Sequence, residues 1–140
     1  MASIFTRIIA GELPGRFVWK DDRCVAFLSI NPITPGHLLV VPREEVDHWI
    51  DLSPGLAGHL ASVSQTLARA LQQAFAPEKV GLMIAGLEVR HVHYHVLPIN
   101  ALGDMEFASA DPHPDPQELD RNAERVREAL RELGHKQVSA

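Results

Sequence analysis

The segment Arg90-His91-Val92-His93-Tyr94-His95-Val96-Leu97-Pro98 places a histidine at every second position over five residues. Val92, Tyr94 and Val96, which fall between and after the histidines, are strong strand formers. Successive side chains of a strand leave on opposite faces, so His91, His93 and His95 share one face. Val92, Tyr94 and Val96 then occupy the other, which suits packing against a core. Three imidazoles in a row admit three readings. One is a solvated polar face. Another is a metal site, because neutral imidazole is the commonest metal ligand, although tetrahedral zinc usually needs a fourth group from elsewhere. The third is chemistry at phosphorus: one ring nitrogen attacks a phosphoryl centre while its neighbours hold the anionic oxygens.

The flanking chain reads as strands with two longer helices. Ile4 to Ala10 is a short helix stopped by Gly11 and Pro14. Arg16 to Lys20 and Cys24 to Leu28 form a hairpin around the turn Asp21-Asp22-Arg23. Asn31-Pro32 and Pro35-Gly36 punctuate the connection to a buried strand, His37-Leu38-Leu39-Val40-Val41-Pro42. Ser53 followed by Pro54 reads as an N-cap with proline at the first helical position. Leu56, Leu60, Val63, Leu67 and Leu71 then repeat at helical spacing to about Phe75. Val80 to Ala85 is a strand, and Gly86 links it to the histidine strand. Gly103–Pro116 reads as loop, and Pro116 to Leu133 as a helix capped by Gly134. The fold class is α+β: an antiparallel sheet of about five strands, one long central helix and a C-terminal helix. Residues 1–100 are expected to form the main domain, with loop and helix 101–140 packed on it.

The 140 residues suffice for a single core. No apolar run reaches the length of a membrane span, the start does not resemble a signal peptide, and the single Cys24 fits a reducing compartment, so a cytoplasmic location is expected. Of the net charge of −5, residues 1–100 contribute nine acidic against eight basic side chains, and 101–140 nine against five. The acidity therefore belongs to the tail. Without a basic patch, long nucleic acid is not an expected partner, whereas a small nucleotide needs only a few imidazoles and backbone amides.

Four blocks of sequence resemble the histidine triad (HIT) family in that family's order. They are Ser3-Ile4-Phe5-Thr6-Arg7-Ile8-Ile9-Ala10-Gly11-Glu12-Leu13-Pro14, Asp21 to Phe27, Asn31-Pro32 with Pro35 to Pro42, and His91 to Leu97 followed by Pro98. The resemblance implies a HIT-like fold and a nucleotide hydrolase or transferase, homodimeric in most members, that cleaves a P–N or P–O bond at the α-phosphate and needs no cofactor or metal for the attack. A nucleotide-binding protein with vestigial activity is the alternative. Carried over by position, His93 is the nucleophile, His91 supports the phosphate site, His95 contacts phosphate oxygens, and His37 completes the site. Ile4, Phe5, Phe27, Ile30 and Leu39 match positions lining base and sugar.

The departures bear on function. Ser29 stands where an aspartate often accepts the ribose hydroxyls, and keeps only a neutral hydrogen bond. Leu87 and Glu88 replace polar residues that hold phosphate and leaving group, so Glu88 either repels phosphate or donates a proton to the leaving group. Ser3 and Thr6 stand where some relatives carry structural zinc cysteines, so that zinc is not expected. Arg43-Glu44-Glu45 also lacks a histidine often found at that point of the family pattern. His48, His59, His113 and His135 are expected to be solvated, Trp19 and Trp49 to be packing residues, and Cys24 a small core residue. The histidine face is expected to be partly open.

Overall fold

The computed structural model describes residues 1–139. The elements run α1 (Ile4–Ile9), β1 (Phe17–Lys20), β2 (Cys24–Leu28), β3 (Leu38–Pro42), α2 (Pro54–Phe75), β4 (Lys79–Ile84), β5 (Tyr94–Ile99) and α3 (Pro116–Glu132). The five strands form one antiparallel sheet in the order β1-β2-β3-β5-β4. This is the expected α+β architecture, with element ends within about two residues of those read from the sequence, apart from the histidine strand, whose ladder begins only at Tyr94.

Both faces of β2 and β3 are buried, which explains their continuous apolar sequences. Cys24, Ala26, Leu28, Leu38 and Val40 face α2 and α3, together with Tyr94 and Val96. Val25, Phe27, Leu39 and Val41 face the opposite way and are covered by Phe5 of α1. Across the ladder Phe27 lies opposite Leu39, Leu39 opposite His95, and His95 opposite Met83. Directly paired residues share a face, so His95 stands on the α1 side of the sheet.

The long helix α2 starts as its sequence dictates. The Ser53 hydroxyl accepts from the Leu56 N–H at 3.1 Å, with Pro54 opening the helix. Leu56, Leu60, Val63, Leu67 and Leu71 are buried against the sheet. Gly36 lets the chain turn into β3. Its φ of +91° favours glycine, and a Cβ there would come within 2.8 Å of the Phe75 ring at the end of α2. The residue after it, His37, is thereby held at the root of β3.

Asp21 ties the β1–β2 turn to α2. Its Oδ1 accepts the backbone N–H groups of Arg23 and Cys24 at 2.8 Å each. Its Oδ2 accepts Trp19 Nε1–H at 2.8 Å and lies 2.8 Å from His59 Nε2. Burial raises the Asp21 carboxyl pKa, but the hydrogen bonds from Trp19, Arg23, Cys24 and His59 outweigh it and hold the group well below the usual carboxylate range. Asp21→Asn turns an amide toward donors that need an acceptor. It is expected to cost about 2 kcal/mol, read as a lower urea midpoint at unchanged m-value.

Several sequence expectations are corrected by these contacts. His59 is half-buried against Asp21, and His135 packs edge-on against Trp19, with ring centroids 5.7 Å apart. Trp49 is 46% exposed and is not a core residue. The segment read as plain loop contains two 3-10 turns, Leu102–Met105 and Phe107–Ser109. At the chain's end, Lys20 N–H donates to Gln137 O at 2.9 Å and Val138 bridges to Trp19, so the edge of β1 is covered.

Candidate active site

The histidines meet between two covers on the α1 side of the sheet. Phe5 of α1 packs edge-on against His91 and His93, with centroid separations of 5.9 and 4.9 Å. Phe107 of the second 3-10 turn packs edge-on against His95 at 5.0 Å. His93 and His95 are themselves 4.8 Å apart. The shared face thus persists although His91 and His93 precede the ladder. The expectation of a partly open face is corrected: His37, His91, His93 and His95 are only 2%, 0%, 7% and 8% exposed. Helix α1 and the 3-10 turns cover a face that the strand's own sequence leaves polar.

The hydrogen-bond partners fix every ring's tautomer. The Ile33 N–H donates to His37 Nδ1 at 3.1 Å, so the His37 proton sits on Nε2. That Nε2–H donates to His95 Nδ1 at 2.9 Å, which puts the His95 proton on its Nε2. His93 Nδ1 lies 2.8 Å from the His91 carbonyl oxygen, which can only accept. His93 therefore carries its proton on Nδ1 and keeps a lone pair on Nε2. His91 Nε2–H likewise donates to the Pro42 carbonyl at 2.8 Å, leaving Nδ1 to accept from the Ser3 hydroxyl at 2.6 Å.

Electrostatics favour the neutral rings. Burial, then the His93 charge, pushes His37 down to about 4. Burial, then His93 and His37, pushes His95 down to about 3. Burial lowers His91 and His93 as well, opposed at His91 by the Pro42 carbonyl and at His93 by the His91 carbonyl. Near neutral pH the site thus presents an unprotonated imidazole nitrogen on His93 and an N–H donor on His95. A nucleophile beside a donor for developing negative charge is what displacement at phosphorus requires.

The remaining sequence candidates fall into two groups. Phe5, Phe27 and Leu39 are buried in one apolar cluster on the α1 side. Ile4 and Ile30 are exposed, and Ser29 is half-buried with its hydroxyl accepting from Asn31 N–H at 3.3 Å. Glu88 is exposed, and its negative charge favours the protonated form of His93. It lines a cleft of about 280 Å³ with Ser3, Ile4, Glu45 and Arg90. Sequence reasoning missed Phe107, half-exposed beside His95, and the contacts of Ser3, Thr6 and Glu45 with one another and with His91.

Asp21, Cys24 and His59 also bring ligand-type atoms within 4.8 Å of one another. Those atoms are spent on each other, since Cys24 Sγ–H donates to Asp21 Oδ2 at 3.5 Å and burial pushes the thiol pKa up. The cluster fastens a turn to a helix.

Residues 10–102 match the HIT domain family, and the chain belongs to the histidine triad (HIT) family. Membership places it in a superfamily of nucleotide-binding proteins and hydrolases. It is 34% identical over 119 residues to Protein hit of Bacillus subtilis, covering 80% of this chain and 81% of that one. A zinc-bound histidine triad family protein from Mycobacterium smegmatis superimposes with a TM-score of 0.81 at 27% identity, over 95% of this chain and 96% of the other. A histidine triad protein from Sulfolobus tokodaii shares the fold at TM-score 0.81, with 22% identity and 94% coverage of both chains.

Zinc in the Mycobacterium relative raises the question of whether this chain offers a similar site. Near its start stand two hydroxyls, Ser3 and Thr6, with the Glu45 carboxylate and His91. Zinc favours thiolate and imidazole ligands. Here one hydroxyl proton is committed to His91 and the other to Glu45. The donor set does not fit zinc.

Proposed function

We propose that this protein is a nucleotide hydrolase or transferase that breaks a P–N or P–O bond at the α-phosphate through a nucleotidyl-His93 intermediate. The observation that carries this reading is the Nδ1–H of His93 on the His91 carbonyl, which leaves Nε2 with its lone pair beside the Nε2–H of His95. In the first step His93 Nε2 bonds to phosphorus, and the leaving group departs with the electron pair of its bond and takes a proton from solvent. The His93 ring becomes cationic, a charge its Nδ1–H shares with the His91 carbonyl. His95 Nε2–H, backed by His37, holds a phosphate oxygen. In the second step water, or an acceptor hydroxyl, attacks phosphorus, the P–N bond breaks, and the attacking group's proton passes to solvent. Exposed Ile4 and Ile30 would meet the base, with Phe5, Phe27 and Leu39 beneath, and the Ser29 hydroxyl would meet the ribose.

The test is intact mass after mixing with adenosine or guanosine phosphoramidates and with dinucleoside polyphosphates, beside product release. A nucleotidyl adduct followed by turnover supports the reading. Saturable nucleotide binding without adduct or turnover favours the second reading, a nucleotide-binding protein with vestigial activity. That reading draws on Glu88, whose carboxylate opposes a phosphate, and on Leu87, which supplies no polar group to hold one.

The active form in this proposal is a cytoplasmic homodimer. Among the described residues the sheet order leaves β4 as an unpaired edge, and Leu82 on it is 51% exposed. An open, apolar edge strand pairs readily with a second copy. Leu82→Lys is expected to shift the protein from dimer to monomer in sedimentation velocity at micromolar concentration. A wild-type monomer at the same concentration would sink this part of the proposal.

A further inference from the structure

We propose that Ser3, Thr6 and Glu45 form a metal-free clamp that fixes the His91 ring and, through the His91 carbonyl, aims the attacking nitrogen of His93. They are positioning residues, and the inference rests on the reading of His93 as nucleophile. The need for a clamp arises from where the ladder starts. Strand β5 begins at Tyr94, so His91, Val92 and His93 lie outside its regular pairing. Val92 N–H donates to the Val46 carbonyl at 2.8 Å, and the wholly buried His91 ring supplies the other anchors. Its Nε2–H is bound to Pro42 O, and its Nδ1 faces Ser3.

The protons in this cluster have one consistent arrangement. Glu45 Oε1 accepts Ser3 N–H at 2.7 Å and Thr6 Oγ1–H at 2.6 Å. Ser3 Oγ accepts the Thr6 N–H at 3.0 Å as the N-cap of α1. Its single proton could turn to Thr6 Oγ1, 3.3 Å away, but the buried His91 Nδ1 would then have only the Thr6 hydroxyl, 3.5 Å away and already bound to Glu45 at 2.6 Å. The hydroxyl proton therefore belongs to His91. Glu45 carries the expected signature of an acceptor in this chain: the Thr6 hydroxyl, then the Ser3 amide, holds it down to about 2. The helix that carries Thr6, with Ser3 as its N-cap, also carries Phe5, which packs on both His91 and His93. One short helix thus sets the peg and braces the nucleophile. Where a zinc site would fasten these segments through metal–sulfur bonds, this chain does so through two hydroxyls and a carboxylate.

The decisive variants are Ser3→Gly and Ser3→Thr. Glycine serves as an N-cap nearly as well as serine but supplies no hydroxyl; threonine supplies both. Two readouts are taken on the full-length protein: the ¹⁵N resonances of the His91 ring, and the single-turnover rate of adduct formation with adenosine phosphoramidate. Ser3→Gly is expected to move the His91 Nδ1 resonance and to slow adduct formation about 10–100-fold, with KM changed less than about threefold, as misaimed groups do. Ser3→Thr is expected to restore both to near the wild-type values. The clamp is overturned if Ser3→Gly leaves the resonance and the rate unchanged, or if the loss follows thermal stability alone and threonine does not restore it. Stoichiometric zinc bound to the purified wild type, lost in Ser3→Gly, overturns its metal-free character. A wild type that forms no adduct defeats the nucleophile assignment instead, and the His91 resonance then still decides whether the clamp exists.

Discussion

Replacing His93 by alanine is expected to abolish the nucleotidyl adduct and to lower turnover at least about 1,000-fold, the scale seen when a covalent nucleophile is removed. His95 and His37 retain their hydrogen bond in the variant, so phosphate binding should outlast catalysis and KM should change little. The burial of His93 adds a second effect that an open histidine face would not produce. Alanine empties a site only 7% exposed and packed on Phe5, and it leaves the His91 carbonyl without its donor. A stability loss of about 1–3 kcal/mol should follow. His93→Asn separates the two consequences. An asparagine amide N–H can still donate to the His91 carbonyl, yet offers phosphorus no lone pair of comparable nucleophilicity. Both variants should lack the adduct, with asparagine unfolding closer to the wild-type midpoint. An adduct retained in either variant would move the nucleophile to another residue.

The contrast between the strand's sequence and its surroundings shows what was legible in advance. Alternation placed the three histidines on one face, and helical spacing marked α2 to its last residue, because both signals are local and repeat many times. The motif resemblance added His37, whose Nε2 does meet His95. What covers the triad was not legible. Ser3 reaches His91 across 88 residues, and Glu45 reaches Thr6 across 39. Such partners are chosen by how α1 docks, which no window of sequence encodes. Phe107 was hidden for another reason, since a three-residue 3-10 turn has no period to detect. Asp21 read as a turn residue because its local bonds to Arg23 and Cys24 are typical of turns. Its long-range partner, His59, lies 38 positions on. Ser3 and Thr6 stood out in the sequence only as occupying positions where some relatives carry zinc cysteines, yet in the fold they join Glu45 and His91 in a connected hydrogen-bond network.

The same burial that holds the triad neutral should make the fold acid-sensitive above the carboxylate range. His37 and His95 are depressed to about 4 and about 3, from about 6.5 in an unfolded chain. Between those values the unfolded state binds more protons than the native one, so stability rises with pH across the window. The contribution is complete above about pH 6.5 and is progressively lost as pH falls toward 4 and then 3. For His37 alone, the difference between about 6.5 and about 4 corresponds to about 3 kcal/mol. His95 does not add a full second share, because the rings share one hydrogen bond and the first proton acquired opposes the next. Asp21 and Glu45, held low in the fold, act in the same direction, beginning at about pH 5, where carboxylates of the unfolded chain start to take up protons, and growing as pH falls further. Urea midpoints at pH 7.5, 6.0 and 4.5 should therefore fall by an amount equivalent to about 3 kcal/mol or more, most of it from the histidines. His37→Gln should flatten that slope whatever it does to the midpoint at pH 7.5. A wild-type midpoint constant from pH 7.5 to 4.5 would mean that the rings are charged or solvated in the native state, and the lone pair assigned to His93 would lose its physical basis.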